Sequence, residues 1–350
     1  MESPANAKTA LITGAASGIG QELARLFAKD GYELILVDKN QEGLDVLTNH
    51  FHNQYGSSTT IITKDLADPN APQDIYDQTA GQGQVIDVLV NDAGFGVYGQ
   101  FATETDFEQE KEVVQVNAVA LMHLTKLYLK DMVARNDGKI LLLGSEVSVA
   151  PSPMQAVYGA TKAFIKSFGE SVRSELKGID SKVSITILMP GATNTNFFKT
   201  AGAAHVKGAD PQKTASPADV AKEGYEALMA GKDHVVAGWM NKARVAMAHL
   251  LPDPLVAASA RSDVMPKEEA EQQQRQLITA LGIAAAVIGG LWLLTRKDSS
   301  LPTISAYDKA HYRYKVGQGK RSVQRALDSA TDSVKGAYGA VKTKVEGTLS

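Results

Sequence analysis

Two side chains with acid–base chemistry lie four residues apart, at the two ends of Tyr158-Gly159-Ala160-Thr161-Lys162. On a helix, this spacing places the phenol and the ammonium on one face, within reach of each other. A nearby positive charge stabilises a phenolate, so the pair predicts a tyrosine with a lowered pKa that exchanges a proton nearer neutral pH. The same spacing is also common on solvated helix faces, so the pair indicates catalysis only if other residues support it.

A glycine-rich turn follows the first apolar run of the chain and opens a helical segment, with the sequence Thr13-Gly14-Ala15-Ala16-Ser17-Gly18-Ile19-Gly20. Glycines at such a turn allow backbone amides to approach a pyrophosphate, whose charge is favoured at a helix N-terminus. Any tight turn between a strand and a helix also favours glycine. The turn therefore predicts a dinucleotide site only if a second residue of suitable chemistry supports it.

Asp38 is such a residue, because it ends the second apolar run, 18 residues after Gly20. A carboxylate there accepts hydrogen bonds from the adenosine ribose hydroxyls and repels a 2′-phosphate. The adjacent Lys39 would offset part of that repulsion. The pattern favours NAD as the cofactor and keeps NADP as the alternative.

The elements that must position these residues can be read from hydrophobic patterning. Short apolar runs alternate with longer segments of helical period, and runs such as 34–37 are apolar on both faces, as buried parallel strands are. This alternation predicts an α/β fold, a Rossmann-like doubly wound seven-stranded parallel sheet, within residues 1–250. The predicted strands are Thr9 to Ile12, Glu33 to Asp38, Ser58 to Lys64, Val85 to Asn91, Lys139 to Ser145, Val183 to Met189 and His234 to Ala237.

Composition excludes several other classes of protein. The 350 residues contain no cysteine, which rules out disulfides, thiolate metal sites and a cysteine nucleophile. The seven histidines are scattered, and we predict no metal site. The net charge is −3 and no basic stripe runs through residues 1–250, so we expect no nucleic-acid partner.

A different signal begins after residue 250. Residues 251–276 form a linker that starts with the helix-breaking Leu251-Pro252-Asp253-Pro254, and residues 277–295 then carry no formal charge. As a helix that segment would be about 28 Å long, close to the ~30 Å hydrocarbon core of a bilayer. We therefore predict a transmembrane helix over 277–295, with a buried core helix as the alternative.

Residues 296–350 predict a basic amphipathic tail. They contain 11 Lys and Arg against 5 Asp and Glu, and apolar residues recur at spacings of three and four from Val323 to Leu349. Such a stripe stays on one side of a helix, and a basic amphipathic helix binds anionic lipid surfaces. Residues 277–350 therefore predict contact with membrane lipid, and a solvated tail is the alternative for the last segment.

Five motifs occur in a fixed order along the first 250 residues: the glycine turn, Asn91-Asp92-Ala93-Gly94, Ser145, the Tyr158–Lys162 pair, and Pro190-Gly191. This combination resembles the short-chain dehydrogenase/reductase family from about Lys8 to Leu250. The resemblance implies that Tyr158 is the general acid/base and that Lys162 lowers its pKa and holds the nicotinamide ribose. Ser145 would bind the substrate oxygen, and Asn117 would support a proton-relay water.

The resemblance also implies a set of residues that bind the cofactor. Asp65 would lie near the adenine ring, Asn91 would line the cleft, and Thr195 would contact the nicotinamide carboxamide. The full set is Thr13, Gly14, Ser17, Gly18, Ile19, Gly20, Asp38, Lys39, Asp65, Leu66, Asn91, Ala93, Gly94, Tyr158, Lys162, Pro190, Gly191 and Thr195.

Two positions depart from the family pattern. Asp92 stands where a second asparagine is usual, and Glu146 follows Ser145 where a small residue is usual. Glu146 either faces solvent or alters the mouth of the substrate pocket.

The expected function is NAD(P)-dependent interconversion of a secondary alcohol and a ketone or aldehyde. The expected substrate is a small molecule, and a membrane location would favour a lipophilic one. The alternatives are an NADPH-linked carbonyl reductase and a non-catalytic, membrane-anchored dinucleotide-binding module.

Because the cofactor is intracellular, we expect the catalytic domain on the cytoplasmic side of a membrane. The resemblance also implies a homo-oligomer that pairs through the two longest helices, predicted over roughly Glu104 to Arg135 and Ala156 to Lys177.

Overall fold

The computed structural model describes residues 7–238 and the single residues 241, 242, 245 and 260. Most of the predicted linker 251–276, the predicted transmembrane helix 277–295 and the predicted tail 296–350 lie outside the described residues. Within the described part of the chain, no helix is both long and apolar enough to cross a membrane.

Seven parallel strands form one sheet in the order β3-β2-β1-β4-β5-β6-β7, which confirms the predicted architecture. All seven predicted strands are present, with ends that differ by up to three residues. Their bounds are β1 Thr9–Thr13, β2 Glu33–Asp38, β3 Thr59–Thr63, β4 Val88–Asn91, β5 Lys139–Leu143, β6 Ser184–Met189 and β7 His234–Val236.

The helices connect successive strands and cover both faces of the sheet. Their bounds are α1 Gly18–Lys29, α2 Gln41–Tyr55, α3 Ala71–Gln78, α4 Phe107–Val114, α5 Leu121–Arg135, α6 Ala156–Gly178, α7 Phe197–Thr200 and α8 Pro217–Met229. Short 3-10 helices occupy Ala80–Gln82, Glu146–Val149 and Lys207–Ala209.

Successive strand residues point to opposite faces, which divides the core into two layers. On one face, Leu34 and Leu36 pack with Phe27 of α1 and Phe51 of α2. On the other face, the alternate strand residues pack with apolar side chains of α3, α5 and α6. Burial on both faces explains why the strands are nearly continuous apolar runs in the sequence.

The strand order reverses beside β1, because the chain first builds β2 and β3 on one side and then places β4 on the other. In open α/β sheets, ligands bind in the crevice at the carboxyl ends of the strands at such a reversal. The glycine turn after β1 and the residues after β4 therefore meet at one crevice.

The predicted single helix from Glu104 to Arg135 is three consecutive segments. Helix α4 ends at Val114, a π-helical segment covers Gln115–Ala120, and α5 then begins at Leu121. The wider π turn carries Asn117, whose side chain is hydrogen-bonded to a loop outside the helix. Wide turns of this kind are frequent at functional sites.

Candidate active site

A cleft of about 1200 Å³ opens at the carboxyl ends of the strands. One half is built by the glycine turn and the ends of β2 and β3, and the other by the segments that follow β5 and β6. The predicted site residues in its wall are Gly14, Ser17, Gly18, Ile19, Asp38, Lys39, Asp65, Leu66, Ala93, Gly94, Ser145, Tyr158, Pro190, Gly191 and Thr195.

The glycine turn brings its backbone close to the segments that surround it. Gly14 and Gly18 adopt φ of +70° and +61°, a region that favours glycine. A Cβ on Gly14 would lie 2.9 Å from the backbone of Ala93, and one on Gly18 would lie 3.1 Å from Thr195. The N-cap Ser17 makes no side-chain capping bond to the first turn of α1. This turn fits the pyrophosphate of a dinucleotide, which binds backbone N–H groups at helix N-termini.

Asp38 is held in place at the end of β2. One carboxylate oxygen accepts the backbone N–H of Ala16 at 3.1 Å and the other accepts that of Asn40 at 3.0 Å. Because Asp38 is half-buried and lines the cleft, its carboxylate keeps acceptor capacity toward the cleft. A carboxylate held at this position can accept hydrogen bonds from ribose hydroxyls.

Both lysines at this end of the cleft already face a carboxylate. Lys39 Nζ lies 3.6 Å from Asp65, and Lys64 Nζ lies 2.6 Å from Asp74. Lys39 is 70% exposed and Asp65 49% exposed, so solvent screens their charges.

The opposite end of the cleft is buried. Tyr158 and Lys162 lie one turn apart near the start of α6, and Lys162 Nζ is 5.7 Å from the centre of the Tyr158 ring. The same Nζ donates a hydrogen bond of 2.8 Å to the carbonyl oxygen of Leu143 at the end of β5. The lysine is only 3% exposed, so its position is fixed by the sheet rather than by solvent.

Ser145 joins β5 to the tyrosine. It caps the 3-10 helix Glu146–Val149, where its hydroxyl accepts the backbone N–H of Val147 at 3.3 Å. The Ser145 hydroxyl is also hydrogen-bonded to the Tyr158 side chain. Ser145 and Tyr158 therefore meet in the wall of the cleft, and Lys162 lies directly behind the tyrosine.

Burial dominates the proton affinities of this group. Desolvation raises the pKa of Tyr158 to about 12, although the hydrogen bond from Ser145 acts in the opposite direction. Desolvation lowers the pKa of Lys162 to about 8, against the attraction of Asp92. The sequence-based expectation of a lowered tyrosine pKa is therefore wrong for the protein alone. Loss of hydration disfavours the phenolate more than the Ser145 hydrogen bond favours it, and the charge of Glu146 acts in the same direction as burial.

Asn117 lies behind the cleft and is fully buried. Its carbonyl oxygen accepts the N–H of Phe95 at 3.0 Å, and its amide donates to the carbonyl oxygen of Phe95 at 2.8 Å and to Thr161 at 3.2 Å. The side chain thus fixes the loop after β4 against α6. Support of a proton-relay water by this residue remains a prediction.

Thr13 and Asn91 also lie behind the cleft instead of lining it. The Thr13 hydroxyl accepts the backbone N–H groups of Asp92 and Ala93 at 3.2 Å. Asn91 donates to Thr125 of α5 at 3.0 Å, so its side chain points away from the cofactor side. Asn91 is thus outside the cleft wall, and its contact with the cofactor remains a prediction.

The remaining two site residues, Lys162 and Gly20, likewise lie behind the cleft wall. A Cβ on Gly20 would lie 2.6 Å from a carboxylate oxygen of Asp92, so a side chain here would push the turn and β4 apart.

An aromatic wall faces the tyrosine. The rings of Tyr158 and Phe197 are 5.0 Å apart, and a Cβ on Gly96 would lie 3.0 Å from Phe197. Phe198 packs edge-on against Phe197 at 5.6 Å. The sequence alone does not decide whether the two phenylalanines belong to a pocket or to the core, and the structure places them in the cleft wall.

Glu146 also lines the cleft, which resolves the choice between solvent and the pocket mouth. Its charge acts to raise the pKa of Tyr158, so the residue lies close enough to influence the acid–base group.

Several contacts in this site carry no signal in the sequence. The Leu143 carbonyl that holds Lys162 is a backbone group, which any residue type would supply. The residue types at 115–120 do not predict a π turn. The one signal that a closer reading could have used is Asp92, an acid at the end of a buried apolar strand. Within the described residues, no group of three or more His, Asp or Glu side chains could hold a metal ion.

A glycine turn, a ribose-side acid and a Ser–Tyr–Lys group in one cleft of an open α/β sheet define a dinucleotide-dependent oxidoreductase. The family model described as short chain dehydrogenase matches residues 8–205. The chain belongs to this family, and it is an NAD(P)-dependent oxidoreductase that acts on CH–OH groups or on the corresponding carbonyls.

Two curated relatives illustrate the similarity. An uncharacterized short-chain type dehydrogenase/reductase from Sinorhizobium fredii is 33% identical over 194 residues, which are 55% of this chain and 73% of the relative. An NADP-dependent 3-hydroxy acid dehydrogenase from Shigella flexneri is 32% identical over 188 residues, 54% of this chain and 73% of the relative.

Solved structures give the same fold. A short-chain dehydrogenase from Sphingobium yanoikuyae in complex with NADPH is similar with a TM-score of 0.60 and 25% identity, over 70% of this chain and 96% of that one. A short-chain dehydrogenase/reductase from Burkholderia phymatum in complex with NAD has a TM-score of 0.64 at 21% identity, over 71% and 95% of the two chains.

Proposed function

We propose that the protein interconverts a secondary alcohol and a ketone, with Tyr158 as the general acid/base and NAD as the preferred cofactor. The observation that carries the proposal is that Ser145 and Tyr158 meet in the wall of the dinucleotide cleft, with the buried Lys162 directly behind the tyrosine. A dehydrogenase needs a group that holds the substrate oxygen and a group that moves its proton, and these side chains supply both.

The chain's own residues divide the work. Ser145 donates a hydrogen bond to the substrate oxygen and fixes its position beside the phenol. Tyr158 takes the alcohol proton during oxidation or returns it to the oxygen during reduction. The buried Lys162, when protonated, stabilises the phenolate and so lowers the energy of that transfer. The bound nicotinamide accepts or donates the hydride.

The cofactor would lie along the cleft from Asp38 to Tyr158. The backbone of Gly14, Gly18 and Ile19 would hold the pyrophosphate, and Thr195, which also lines the cleft, would contact the nicotinamide end. Every one of these residues lines the same cleft wall.

The preference for NAD rests on charges at the adenosine end. Asp38 presents a carboxylate where the 2′-phosphate of NADP would lie, and an uncompensated like charge disfavours that phosphate. Lys39 and Lys64 each face a carboxylate of their own, Asp65 and Asp74, which reduces their capacity to offset Asp38. The relatives whose names specify NADP, such as the 3-hydroxy acid dehydrogenase from Shigella flexneri, make NADP the competing choice.

The aromatic wall supports a substrate with an apolar group beside its carbonyl carbon. Phe197 and Phe198 offer ring surface next to Tyr158, and burial of that surface favours apolar substituents. A lipophilic secondary alcohol is therefore the substrate class to screen first.

The first test is a fluorescence titration of the full chain with NADH and with NADPH. We expect tighter binding of NADH. A screen of secondary alcohols with NAD⁺ then monitors absorbance of the reduced cofactor, with Tyr158→Phe as the matched inactive variant. Tighter NADPH binding would favour an NADPH-linked carbonyl reductase, and binding of neither cofactor would favour a non-catalytic module.

We propose membrane association through residues 277–350, with the catalytic domain on the cytoplasmic side, and this part of the proposal rests on sequence alone. The 19 uncharged residues 277–295 and the basic tail after them are the supporting features. The test is fractionation of cells that express the full chain or residues 1–262. Recovery of the full chain in the soluble fraction would overturn it.

We also propose a homo-oligomer. Apolar side chains of Met122 on α5 and Phe164 on α6 are 40% and 38% exposed, and Phe164 stacks on Phe168 with ring centres 5.6 Å apart. Exposed apolar side chains on these two helices support the proposal, because contiguous apolar patches mark protein interfaces. Sedimentation of the full chain and of Phe164→Glu gives the test, and a monomer at every concentration contradicts it.

A further inference from the structure

The departure from the family motif at Asp92 places a carboxyl group directly behind the glycine turn. Asp92 follows β4 and is 8% exposed. A Cβ on Gly14 would lie 3.1 Å, and one on Gly20 2.6 Å, from its Oδ2 atom. The carboxyl group is therefore in van der Waals range of both ends of the turn that faces the pyrophosphate.

The two carboxyl oxygens have unequal surroundings. Oδ2 lies against the first turn of α1, and the backbone N–H of Gly20 favours the charged form of the group. Oδ1 is buried and has no hydrogen-bond partner among the described residues. A charged carboxylate with one unpartnered oxygen is costly in such a place, whereas a protonated carboxyl is tolerated.

The charged groups around Asp92 come from two elements. Lys162 of α6 attracts the carboxylate, and Asp38 at the end of β2 repels it. Desolvation is the largest effect, and together with the repulsion by Asp38 it outweighs the attraction of Lys162 and the Gly20 N–H, so the pKa of Asp92 rises to about 7. The group thus titrates in the range in which enzymes work, while an asparagine at this position would not titrate at all.

We propose that Asp92 couples dinucleotide binding to pH: its carboxylate takes up a proton from solvent when the anionic pyrophosphate binds to the glycine turn. The reaction is protonation alone, from –COO⁻ and H⁺ to –COOH, and no bond of the cofactor changes. Two negative groups separated only by the turn disfavour each other, so each binding event promotes the other, as linkage requires. The proposal rests on dinucleotide binding in this cleft and is independent of the substrate.

Asp92→Asn is the central variant, because it keeps an oxygen acceptor for the Gly20 N–H and removes the charge. Asp87→Asn is its matched control. Asp87 lies just before β4, at the opposite edge of the sheet, where its carboxylate accepts the N–H of Thr9 at 2.8 Å. Both variants lose one carboxylate that faces a backbone N–H, but only the Asp92 carboxylate borders the glycine turn.

The first readout is the dissociation constant of NADH from pH 6 to pH 9. We expect the ratio of the wild-type constant to that of Asp92→Asn to be near one at pH 6 and to rise to about tenfold at pH 9, the equivalent of one pKa unit of coupling. For Asp87→Asn we expect a ratio that does not change with pH. A constant ratio for Asp92→Asn overturns the proposal.

The second readout monitors the carboxyl group itself, because Lys162 also titrates near this range. Infrared difference spectra of protein with ¹³C-labelled aspartate report the protonated carboxyl band, and Asp92→Asn assigns it. We expect the midpoint of this band to move to higher pH when NADH is added to the wild type. An unmoved midpoint with NADH bound overturns the coupling. Failure of NADH to bind at any pH contradicts the proposed function instead.

Discussion

The two ends of the cleft, which we propose hold different parts of one cofactor, are built differently. At the adenosine end, Asp38 is half-buried and Lys39 is 70% exposed, and the ion pairs there are open to solvent. At the nicotinamide end, Lys162 is 3% exposed and Ser145 is 8% exposed. Charges are screened at the first end and desolvated at the second.

This difference determines what a single residue can change. A charge in a desolvated site shifts the pKa of its neighbours, and loss of a hydrogen bond there leaves a buried group without a partner. A charge near solvent alters a binding preference by a modest factor. The chemistry therefore depends on a few buried contacts, while cofactor choice depends on replaceable surface charges.

Replacement of Tyr158 by Phe has the largest expected effect. We expect kcat to fall by about 10³-fold or more, because general acid–base catalysis contributes roughly 10²–10⁴-fold. The NADH dissociation constant should change little, since the ring and its contact with Phe197 are kept. Steady-state kinetics and a fluorescence titration check the two parts, and a kcat within tenfold of wild type contradicts the role of the phenol.

Ser145→Ala removes the hydroxyl that bonds to Tyr158 and caps the 3-10 helix. We expect kcat/KM to fall by about 10²-fold, in the range found for loss of one donor to a reacting oxygen. Because this hydrogen bond lowers the pKa of Tyr158, the rise of alcohol oxidation with pH should also move to higher pH. Thr at the same position should restore most of the activity; if Ala and Thr are equal, the hydroxyl has no such role.

Asp92→Asn tests the desolvated end through stability. The native state holds the Asp92 proton up to a pKa of about 7, whereas the unfolded chain releases it near 3.8. The stability that this proton gives is present below pH 3.8 and is lost as pH rises to 7. From pH 5 to pH 8, we expect the unfolding free energy of the variant to rise by about 2 kcal/mol relative to wild type. Denaturant unfolding at both pH values measures it, and parallel profiles contradict it.

Asp38→Asn tests the screened end. The amide keeps an acceptor but removes the charge, so we expect the preference for NADH over NADPH to fall by about tenfold, the effect of one partly screened unit charge. Titration with the two reduced cofactors gives the ratio. An unchanged ratio would mean that Asp38 does not select the cofactor.

Lys39→Gln has the smallest expected effect. Its ion pair with Asp65 is 3.6 Å long and largely exposed, so we expect a change of less than about twofold in either dissociation constant. A large loss of NADPH binding alone would show instead that Lys39 holds a 2′-phosphate, and the contrast between the two ends would then be smaller than the exposures indicate.

Much of the fold was predictable, because local patterning carries it. The buried strands appear as apolar runs, and β2 was predicted at its observed ends, Glu33–Asp38. The glycine turn was equally readable, since the positive φ of Gly14 and Gly18 is a conformation that favours glycine. The break of the long helix at Gln115–Ala120 was not, because it serves a hydrogen bond between Asn117 and a loop distant in sequence.

In the candidate site, too, some properties follow from local sequence and others from the tertiary structure. By itself, the sequence determined which residue types reach the carboxyl edge of the sheet, since strand order and turn chemistry are local properties that recur along the chain. Only the tertiary structure decided the pKa values of these residues. Burial raises the pKa of Tyr158 and lowers that of Lys162, and it sets Asp92 against the glycine turn. Desolvation depends on everything that surrounds a group, and segments far apart in the sequence supply those surroundings.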